Sequence, residues 1–283
     1  MARILGTVTA RGHDPAQMYV ASLWRYPVKS MLGEVVDSLF VDQGGAHGDR
    51  RLALLDAVTG RVASAKQPRL WRELLQFSAR VDAGEVRIKL PDGRTVSANH
   101  AGIDDLLSQS LGRPVQLISE RPQGATLERP DPEQVLQFGL DAEVEGQLVE
   151  IARATPGESF TDLAPLHAIT TATVEHVGTE ALRYRPNLLI ATPPGYPPYA
   201  ENDWVGRQMV AGEARLQVLK PTVRCAVPTL EHGALPRAPH ALRTLMAENR
   251  LASSGSGGVP CAGVYLEVLT AGTINTEDVV CAL

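Results

Sequence analysis

Short runs in which apolar and polar residues alternate fill the first third of this chain, and they constrain its fold more than any other feature. The pattern extends from Val20 to about Leu90 in stretches such as YVASLWRY, EVVDSLFVD and EVRIKLPDGRTVSA, with Thr-Gly and Asp-Gly pairs at the breaks. Alternation with period two puts every second side chain on one face of a strand, and those dipeptides are typical of hairpin turns. We therefore expect antiparallel hairpins and a β-rich first domain.

The second half also favours strands, with few helices. Strand-like runs are APLHAIT, RPNLLIA, EARLQVLKPTVRC and the closing GVYLEVLTAGTINTEDVV. Helical spacing is confined to GIDDLLSQSLGR, to TTATVEHVGTEALRY with Thr170 or Thr171 as its cap, and to PHALRTLMAENR. Strands in both halves favour two β-rich units over alternating βαβ windings. The sequence predicts an α+β fold that is mainly β.

Changes of composition suggest where the two units meet. Residues 119–134 are rich in proline, glycine and charge, which predicts a linker between a first domain at 18–118 and a second at 135–283. The Gly- and Ser-rich stretch at 252–258 predicts a loop.

The net charge of the 283-residue chain is −5, which argues against a general surface for nucleic acid or anionic membrane. No run approaches the roughly 20 apolar residues of a membrane-spanning helix, and the N-terminal apolar run is too short for a signal peptide. The three cysteines, Cys225, Cys261 and Cys281, form no C-x-x-C pair and suit a reducing compartment. We expect a cytoplasmic protein without nucleic-acid or membrane partners.

Common catalytic motifs are missing from the sequence. It contains no phosphate-binding G-x-x-x-x-G-K-[ST], no dinucleotide-binding G-x-G-x-x-G after a strand, no G-x-S-x-G and no H-E-x-x-H. Its seven histidines do not pair at the spacings of a zinc site. Nucleotide, serine-hydrolase and zinc-protease functions therefore have no support from motifs.

Four scattered stretches remain, each at the point where a strand-like run meets a turn. They are YPVKS with Lys29 and Ser30, HGDRRLAL with Arg50, RYRPNLLI with Arg185 and Asn187, and PTVRC with Arg224 and Cys225. Turns held by a rigid scaffold are where proteins usually display functional groups. Taken singly, each charge has a simpler interpretation as a solvated surface group, and the cysteine as a small core residue. Their order and local sequence together favour a site.

In that order, the stretches resemble the MOSC family, named for the molybdenum cofactor sulfurase C-terminal domain, with its N-terminal β-barrel partner domain. The resemblance runs from about Tyr19 to Val280 and is carried by LWRYPVKSMLGE, GAHGDRRLALLD, ASAKQPRL, FTDLAPLHAITTATVEHV, RYRPNLLIA, YAENDWVG, LKPTVRCAVPT and CAGVYLEVLTAGTINTEDVV. The layout is similar to that of the two-domain reductases, which include the mitochondrial amidoxime-reducing component and its bacterial relatives.

The resemblance implies a pyranopterin molybdenum cofactor, molybdopterin with its metal, held between two barrel-like domains. Cys225 would be the catalytic residue and the metal ligand. The residues implied to bind the cofactor's phosphate and pterin are Lys29, Ser30 and Arg50 from the first domain and Thr170, Arg185 and Asn187 from the second. Asp162 and His167 would line the site or move protons. Arg224 would lower the pKa of the Cys225 thiol if its charge faces the sulfur, and would not if it points outward.

The same resemblance implies an oxidoreductase that removes oxygen at molybdenum from small N-hydroxylated substrates. The chain has no cysteine set for an iron–sulfur cluster, so electrons would come from a separate donor protein, and neither haem nor flavin is expected. Two alternatives stay open, a sulfur transferase that carries a persulfide on Cys225 and a carrier that holds the cofactor without turnover. Cys261 is expected to pack at the start of a strand.

Overall fold

Strands dominate the computed structural model, which describes residues 14, 16–252 and 257–282. The strands of the first half are β1 (Met18–Arg25), β2 (Glu34–Val36), β3 (Ser38–Asp42), β4 (Gly45–Ala46), β5 (Ala53–Asp56), β6 (Ser78–Asp82), β7 (Glu85–Lys89), β8 (Thr95–Ser97), β9 (Val115–Ile118) and β10 (Thr126–Pro130). Those of the second half are β11 (Gly146–Glu150), β12 (Leu166–Thr170), β13 (Leu188–Ala191), β14 (Gln208–Ala211), β15 (Ala214–Val223), β16 (Arg250–Leu251), β17 (Val259–Thr270), β18 (Gly272–Asn275) and β19 (Val279–Ala282).

Helices are few and short. The α-helices are α1 (Pro68–Trp71), α2 (Ile103–Leu111), α3 (Pro132–Phe138), α4 (Thr171–Val177) and α5 (His240–Glu248). Short 3₁₀ turns occupy Arg72–Gln76, Ala181–Tyr184, Ala200–Trp204 and Val227–Thr229. The predicted fold class, α+β and mainly β, is confirmed. In the ranges that the structure describes, no helix has the length and apolar character to cross a bilayer.

The main sheet closes into a barrel of seven strands. Its order is β12-β13-β1-β19-β14-β15-β17, and β17 pairs with β12 to complete the ring. The barrel interior is filled by apolar side chains from every wall, among them Leu23, Leu188, Met209 and Leu266. A separate core lies in the first half, where Trp71 and Phe77 pack with the hairpin β6-β7 and helix α2. The two cores are the packed supports between which a site can form.

Strand β1 shows how irregular pairing modifies the simple alternation. Val20 and Leu23 are both fully buried although they are three residues apart. The pairing of β1 with β13 shifts register between Val20 and Ser22, which marks a bulge. A bulge inserts one extra residue and turns the following side chains to the other face of the strand. Period two therefore located this strand but could not give its inward face.

The predicted division at residue 118 does not separate two independent sheets. β1, assigned to the first domain, pairs with β13 and β19 of the second half, and β3 pairs with β18. Alternation identifies strands but contains no information about which distant strand is the partner. The start of the predicted first domain is therefore part of the barrel.

The predicted linker at 119–134 is ordered in the structure. β10 pairs with β11 over five residue pairs, and Leu127 is buried against Val62 and Phe160. Asp131 then caps α3, accepting a hydrogen bond from the Glu133 N–H at 2.8 Å. One inward apolar residue among proline and charged residues is too weak a pattern to indicate a strand, which explains the difference.

Three of the five α-helices in the described residues, α2, α4 and α5, lie where the sequence predicted helices. α2 ends before Gly112, which adopts a left-handed backbone with φ of 64°, and α5 follows Pro239. Of the two predicted caps for α4, Thr170 is the one found. The predicted loop at 252–258 lies outside the described residues except at its ends.

Candidate functional site

One cleft between the barrel and the first-half core collects most of the residues singled out in the sequence. It is lined by residues from both halves of the chain. The predicted site residues among its walls are Lys29, Ser30, Arg50, Asp162, His167, Arg185, Asn187, Arg224 and Cys225. Thr170 is the one predicted site residue that does not line it. Five segments that are far apart in sequence therefore meet at a single place.

Three of these residues have a left-handed backbone, which is uncommon for side chains other than glycine. The φ angles are 65° at Ser30, 49° at Arg50 and 54° at Arg185. Each such conformation costs on the order of 1 kcal/mol and persists only where neighbouring structure enforces it. The Arg50 N–H donates to the Tyr26 carbonyl at 2.7 Å, and the Lys29 N–H donates to the Leu52 carbonyl at 2.8 Å. The loops that carry the cations are thus tied to each other.

Lys29 is a nearly buried cation, with 4% of its surface exposed. Its Nζ donates to the Phe160 carbonyl at 2.8 Å and to Asp162 Oδ1 at 2.6 Å. Burial lowers the pKa of Lys29 to about 8, although the Asp162 carboxylate opposes that change. Lys66 Nζ lies 3.0 Å from Asp162 Oδ2. Burial acts to raise the pKa of Asp162, but Lys29 and Lys66 together hold it well below its ordinary value. Asp162 is therefore ionised.

Arg50 and Arg185 both lie against the ring of Tyr26. Their guanidinium carbons are 5.0 and 4.4 Å from the ring centroid. Arg50 pairs with Asp49 and donates through Nη2 to the Arg185 carbonyl at 3.2 Å. By contrast, both terminal nitrogens of Arg185 are buried and have no hydrogen-bond partner in the part of the chain that the structure describes.

The buried position of Arg185 also changes the pKa of its guanidinium. Burial, followed by the nearby charge of Arg50, lowers the pKa of Arg185 to about 10. A buried charge without an acceptor is costly, and almost all buried polar groups in folded proteins have partners. The guanidinium of Arg185 is thus arranged for an anionic acceptor that the described residues do not provide.

Cys225 stands two residues beyond the end of β15. Its thiol is not in a disulfide, and 9% of the residue is exposed. On its apolar side it packs with Leu75, Val227 and Leu230. Cys225 also lines the cleft, so its sulfur can contact both the apolar wall and a ligand.

The Arg224 guanidinium is buried and bonded to protein groups. Nε donates to the Ala262 carbonyl at 2.9 Å, and Nη1 donates to the Tyr184 carbonyl at 2.9 Å. Nη2 contacts both the Ala262 carbonyl and His167 Nε2. Arg224 therefore does not point outward to solvent, and its hydrogen bonds go to backbone carbonyls and His167 rather than to the sulfur.

His167 is fixed as a neutral acceptor by this contact. Because arginine can only donate, Nε2 must accept and the ring proton must be on Nδ1. Burial, Arg224 and Arg50 hold the pKa of His167 well below its ordinary value. The His167 N–H donates to Asn187 Oδ1 at 3.2 Å, and the Asn187 N–H donates to the His167 carbonyl at 2.8 Å. At neutral pH His167 is therefore an uncharged imidazole that accepts a hydrogen bond through Nε2.

Thr170 lies outside the cleft because its hydroxyl is used elsewhere. Oγ1 accepts from the Thr173 N–H at 3.2 Å, which caps α4, and donates to Glu201 Oε2 at 3.0 Å. The residue is completely buried. The expectation that Thr170 contacts a cofactor therefore finds no support in its position.

Two family models match the chain and together span most of it. Residues 17–125 match the MOSC N-terminal β-barrel domain, and residues 158–281 match the MOSC domain. The chain belongs to the MOSC family. The resemblance drawn from the sequence motifs is confirmed at this level.

Solved structures give weaker similarities to this MOSC protein. The YuaD protein from Bacillus subtilis is 11% identical with a TM-score of 0.42, over 93% of this chain and 94% of that one. YiiM from Geobacillus stearothermophilus is 18% identical with a TM-score of 0.29, over 56% of this chain and 72% of that one. No protein with a curated description matches the chain significantly.

The cleft of this MOSC protein includes residues that sequence reasoning did not single out. Lys66 pairs with Asp162, Tyr26 lies between Arg50 and Arg185, and Tyr184 lies under Arg224 with its ring centroid 5.1 Å from the guanidinium carbon. Lys66 and Tyr26 fall in ASAKQPRL and YPVKS, stretches that carried the resemblance. Their place in those stretches was the available signal, but nothing in the sequence distinguished them from neighbouring surface residues.

The protein offers few groups of its own for a metal. Within residues 14, 16–252 and 257–282, no group of three or more His, Cys, Asp and Glu side chains could hold a metal ion. A metal in this cleft would therefore have at most two of these side chains as ligands and would need further ligands from other groups.

Proposed function

We propose that this MOSC protein binds a pyranopterin molybdenum cofactor in the cleft and reduces small N-hydroxylated substrates with electrons from a separate donor protein. The observation that carries this proposal is that Cys225 and Arg185 line the same cleft. The two terminal nitrogens of Arg185 are buried and have no acceptor in the described residues. MOSC domains are in general associated with molybdenum cofactor binding.

The cation side of the cleft fits the phosphate of such a cofactor. A phosphate monoester has a charge of about −1.5 to −2 at neutral pH, and the planar fork of arginine matches its oxygens. Lys29, Arg50 and Arg185 are all within this cleft of an otherwise acidic protein. Ser30 Oγ accepts from the Ala65 N–H at 3.1 Å, which leaves its hydroxyl proton for a ligand oxygen. A bound phosphate would give Arg185 its missing acceptor.

Cys225 fits the metal. Thiolate is a soft ligand that suits a metal already bound by sulfur, and coordination keeps the thiol deprotonated. The lack of a histidine and carboxylate cluster in the described residues agrees with a metal that arrives with its own pterin ligands. When bound, the cofactor would supply the redox chemistry, and the protein would bind and orient the substrate.

Two cleft residues could orient an N-hydroxylated substrate. Asp162 has 35% of its side chain exposed and is held ionised, so it can accept a hydrogen bond from a substrate hydroxyl. His167 is a neutral imidazole in the cleft lining and is held by Arg224. At neutral pH Asp162 is ionised and His167 is uncharged, so protons would come from water or from the substrate.

The test is the molybdenum and pterin content of protein purified from a host that makes the cofactor. We expect close to one of each per chain in the wild type, and loss of molybdenum in Cys225→Ala. Cys281→Ala is the matched control, because Cys281 is exposed on β19 away from the cleft lining. A panel of N-hydroxylated compounds with a chemical reductant then tests turnover.

The other outcomes identify the alternatives. A sulfur adduct on Cys225 by mass spectrometry, with neither molybdenum nor pterin, would support sulfur transfer. Bound cofactor without turnover under any reductant would support a carrier.

A further inference from the structure

A buried carboxylate outside the cleft connects to the cleft through a single peptide group. Glu201 is completely buried. Its Oε2 accepts from the hydroxyls of Thr170 at 3.0 Å and Thr173 at 2.8 Å, and its Oε1 accepts from the Gly263 N–H at 3.2 Å. All three donors are uncharged. Burial raises the pKa of Glu201 above its ordinary value, while these hydrogen bonds oppose that change.

The Gly263 N–H belongs to the same peptide unit as the Ala262 carbonyl. In a planar trans peptide these two groups point in opposite directions. On one side the N–H meets Glu201, and on the other the carbonyl accepts from Arg224 Nε at 2.9 Å and also from Nη2. One peptide therefore stands between a buried carboxylate and a buried guanidinium.

A local irregularity of β17 makes this arrangement possible. Pro221 pairs with Val264 and Val223 pairs with Cys261, so that Ala262 and Gly263 together face Thr222 alone. This is the two-against-one count of a β-bulge, a feature that redirects backbone groups near functional sites. Gly263 has a left-handed backbone with φ of 72°, and a Cβ at that position would lie 2.5 Å from His167 Nε2. Glycine is required at this bulge because the Ala168 carbonyl oxygen and the His167 imidazole both occupy the space.

We propose that Glu201 is a positioning residue for the cleft: its carboxylate fixes the 262–263 peptide, whose carbonyl holds the Arg224 guanidinium against His167. An acceptor held on the N–H of this peptide polarises it and strengthens its carbonyl as an acceptor for Arg224. The importance of this arrangement for activity rests on the proposed function, whereas the link from Glu201 to Arg224 does not.

The direct readout is the Arg224 Nε–H signal in a ¹⁵N-labelled full-length chain, identified by its loss in Arg224→Lys. A buried hydrogen-bonded N–H exchanges slowly with solvent. In Glu201→Leu we expect exchange of this proton to be about tenfold faster or more, because loss of one hydrogen bond frees the peptide. Glu201→Gln should restore slow exchange, since its amide oxygen can still accept from Gly263.

Thr173→Val is the matched control. It removes one hydroxyl from Glu201 and leaves the Gly263 contact in place, so Arg224 Nε–H exchange should remain as in the wild type even if stability falls. A role limited to supporting α4 would make Thr173→Val and Glu201→Leu alike. Folded Glu201→Leu with unchanged Arg224 exchange would overturn the proposal. If that variant does not fold, Glu201→Asp, whose shorter side chain withdraws the carboxylate, must show the same faster exchange.

Cofactor content of the same preparations separates this proposal from the proposed function. Faster Arg224 exchange in protein that never contains molybdenum or pterin would support the Glu201 link and contradict the cofactor. Cofactor-loaded protein in which Arg224 exchange is unchanged in Glu201→Leu and Glu201→Asp would support the cofactor and contradict the Glu201 link.

Discussion

The buried arginines on the two walls of the cleft differ in whether their guanidinium nitrogens have hydrogen-bond acceptors. On the anion wall, made of Lys29, Ser30, Arg50 and Arg185, the terminal nitrogens of Arg185 have no acceptor in the described residues. On the thiol wall, made of His167, Arg224 and Cys225, the Arg224 guanidinium is bonded to two carbonyls and an imidazole. A buried charge without hydrogen-bond partners destabilises a protein and is retained where a ligand supplies the partners. A buried charge that already has its partners holds the surrounding groups in place. The anion wall is therefore suited to binding and the thiol wall to positioning.

The largest expected change in stability comes from removing the hydrogen-bonded guanidinium of the thiol wall. Arg224→Leu should lower the free energy of unfolding by about 3 kcal/mol, because the Ala262 and Tyr184 carbonyls lose buried donors. Chemical denaturation of cofactor-free protein measures this. Arg215→Leu, at an exposed arginine on β15, is the control and should change stability by no more than about 0.5 kcal/mol. Equal effects at the two positions would contradict the assignment.

The next largest effect is a pH dependence of folding stability that arises from Lys29 on the anion wall. Burial lowers the pKa of Lys29 from 10.5 to about 8, so between these values the unfolded chain holds a proton that the folded chain has released. Folding stability of the wild type should therefore rise with pH in this window, by about 3 kcal/mol relative to Lys29→Met. Denaturation of both proteins from pH 7 to 10.5 gives the difference. A difference that stays constant with pH would show that Lys29 is not an unfavourably buried cation.

Arg185→Leu should have a smaller effect on stability, and of the opposite sign to that of Arg224→Leu. In cofactor-free protein we expect unfolding free energy to be unchanged or higher by about 1 kcal/mol, because an uncompensated buried charge is removed. Thermal or chemical denaturation measures it. A loss as large as that of Arg224→Leu would mean that Arg185 has acceptors in the folded protein and that the two walls do not differ.

The smallest effect is expected at Thr170, behind the thiol wall. Thr170→Val removes the cap of α4 and should cost about 1 kcal/mol of stability. Molybdenum content should not change, because the hydroxyl lies outside the cleft. Loss of cofactor at unchanged stability would restore Thr170 as a binding residue.

Thr170 also shows how far sequence reasoning reached. The local pattern gave Thr170 or Thr171 as the helix cap, and Thr170 is the cap found. The family resemblance separately implied a contact of Thr170 with the cofactor, but its hydroxyl is bonded to Thr173 and Glu201. Local signals of this kind located the strands and helices well. The MOSC family was recognisable from short motifs because each motif is continuous in sequence.

The features that remained hidden depend on distant pairing. Closure of the barrel by β1, the order within 119–134 and the bulge at Ala262 and Gly263 all arise from partners far along the chain. Glu201 could not be selected among many carboxylates, because its importance comes from the peptide that it meets. The contrast between Arg185 and Arg224 is likewise invisible in sequence, where both are arginines beside a strand.

The most direct test of the account is the molybdenum and pterin content of wild-type and Arg185→Leu protein, prepared side by side from a cofactor-producing host. The account predicts near-stoichiometric cofactor in the wild type and almost none in a variant that is folded and at least as stable. Full cofactor content in Arg185→Leu, or neither molybdenum nor pterin in the wild type, would contradict the claim that the anion wall is completed by this cofactor.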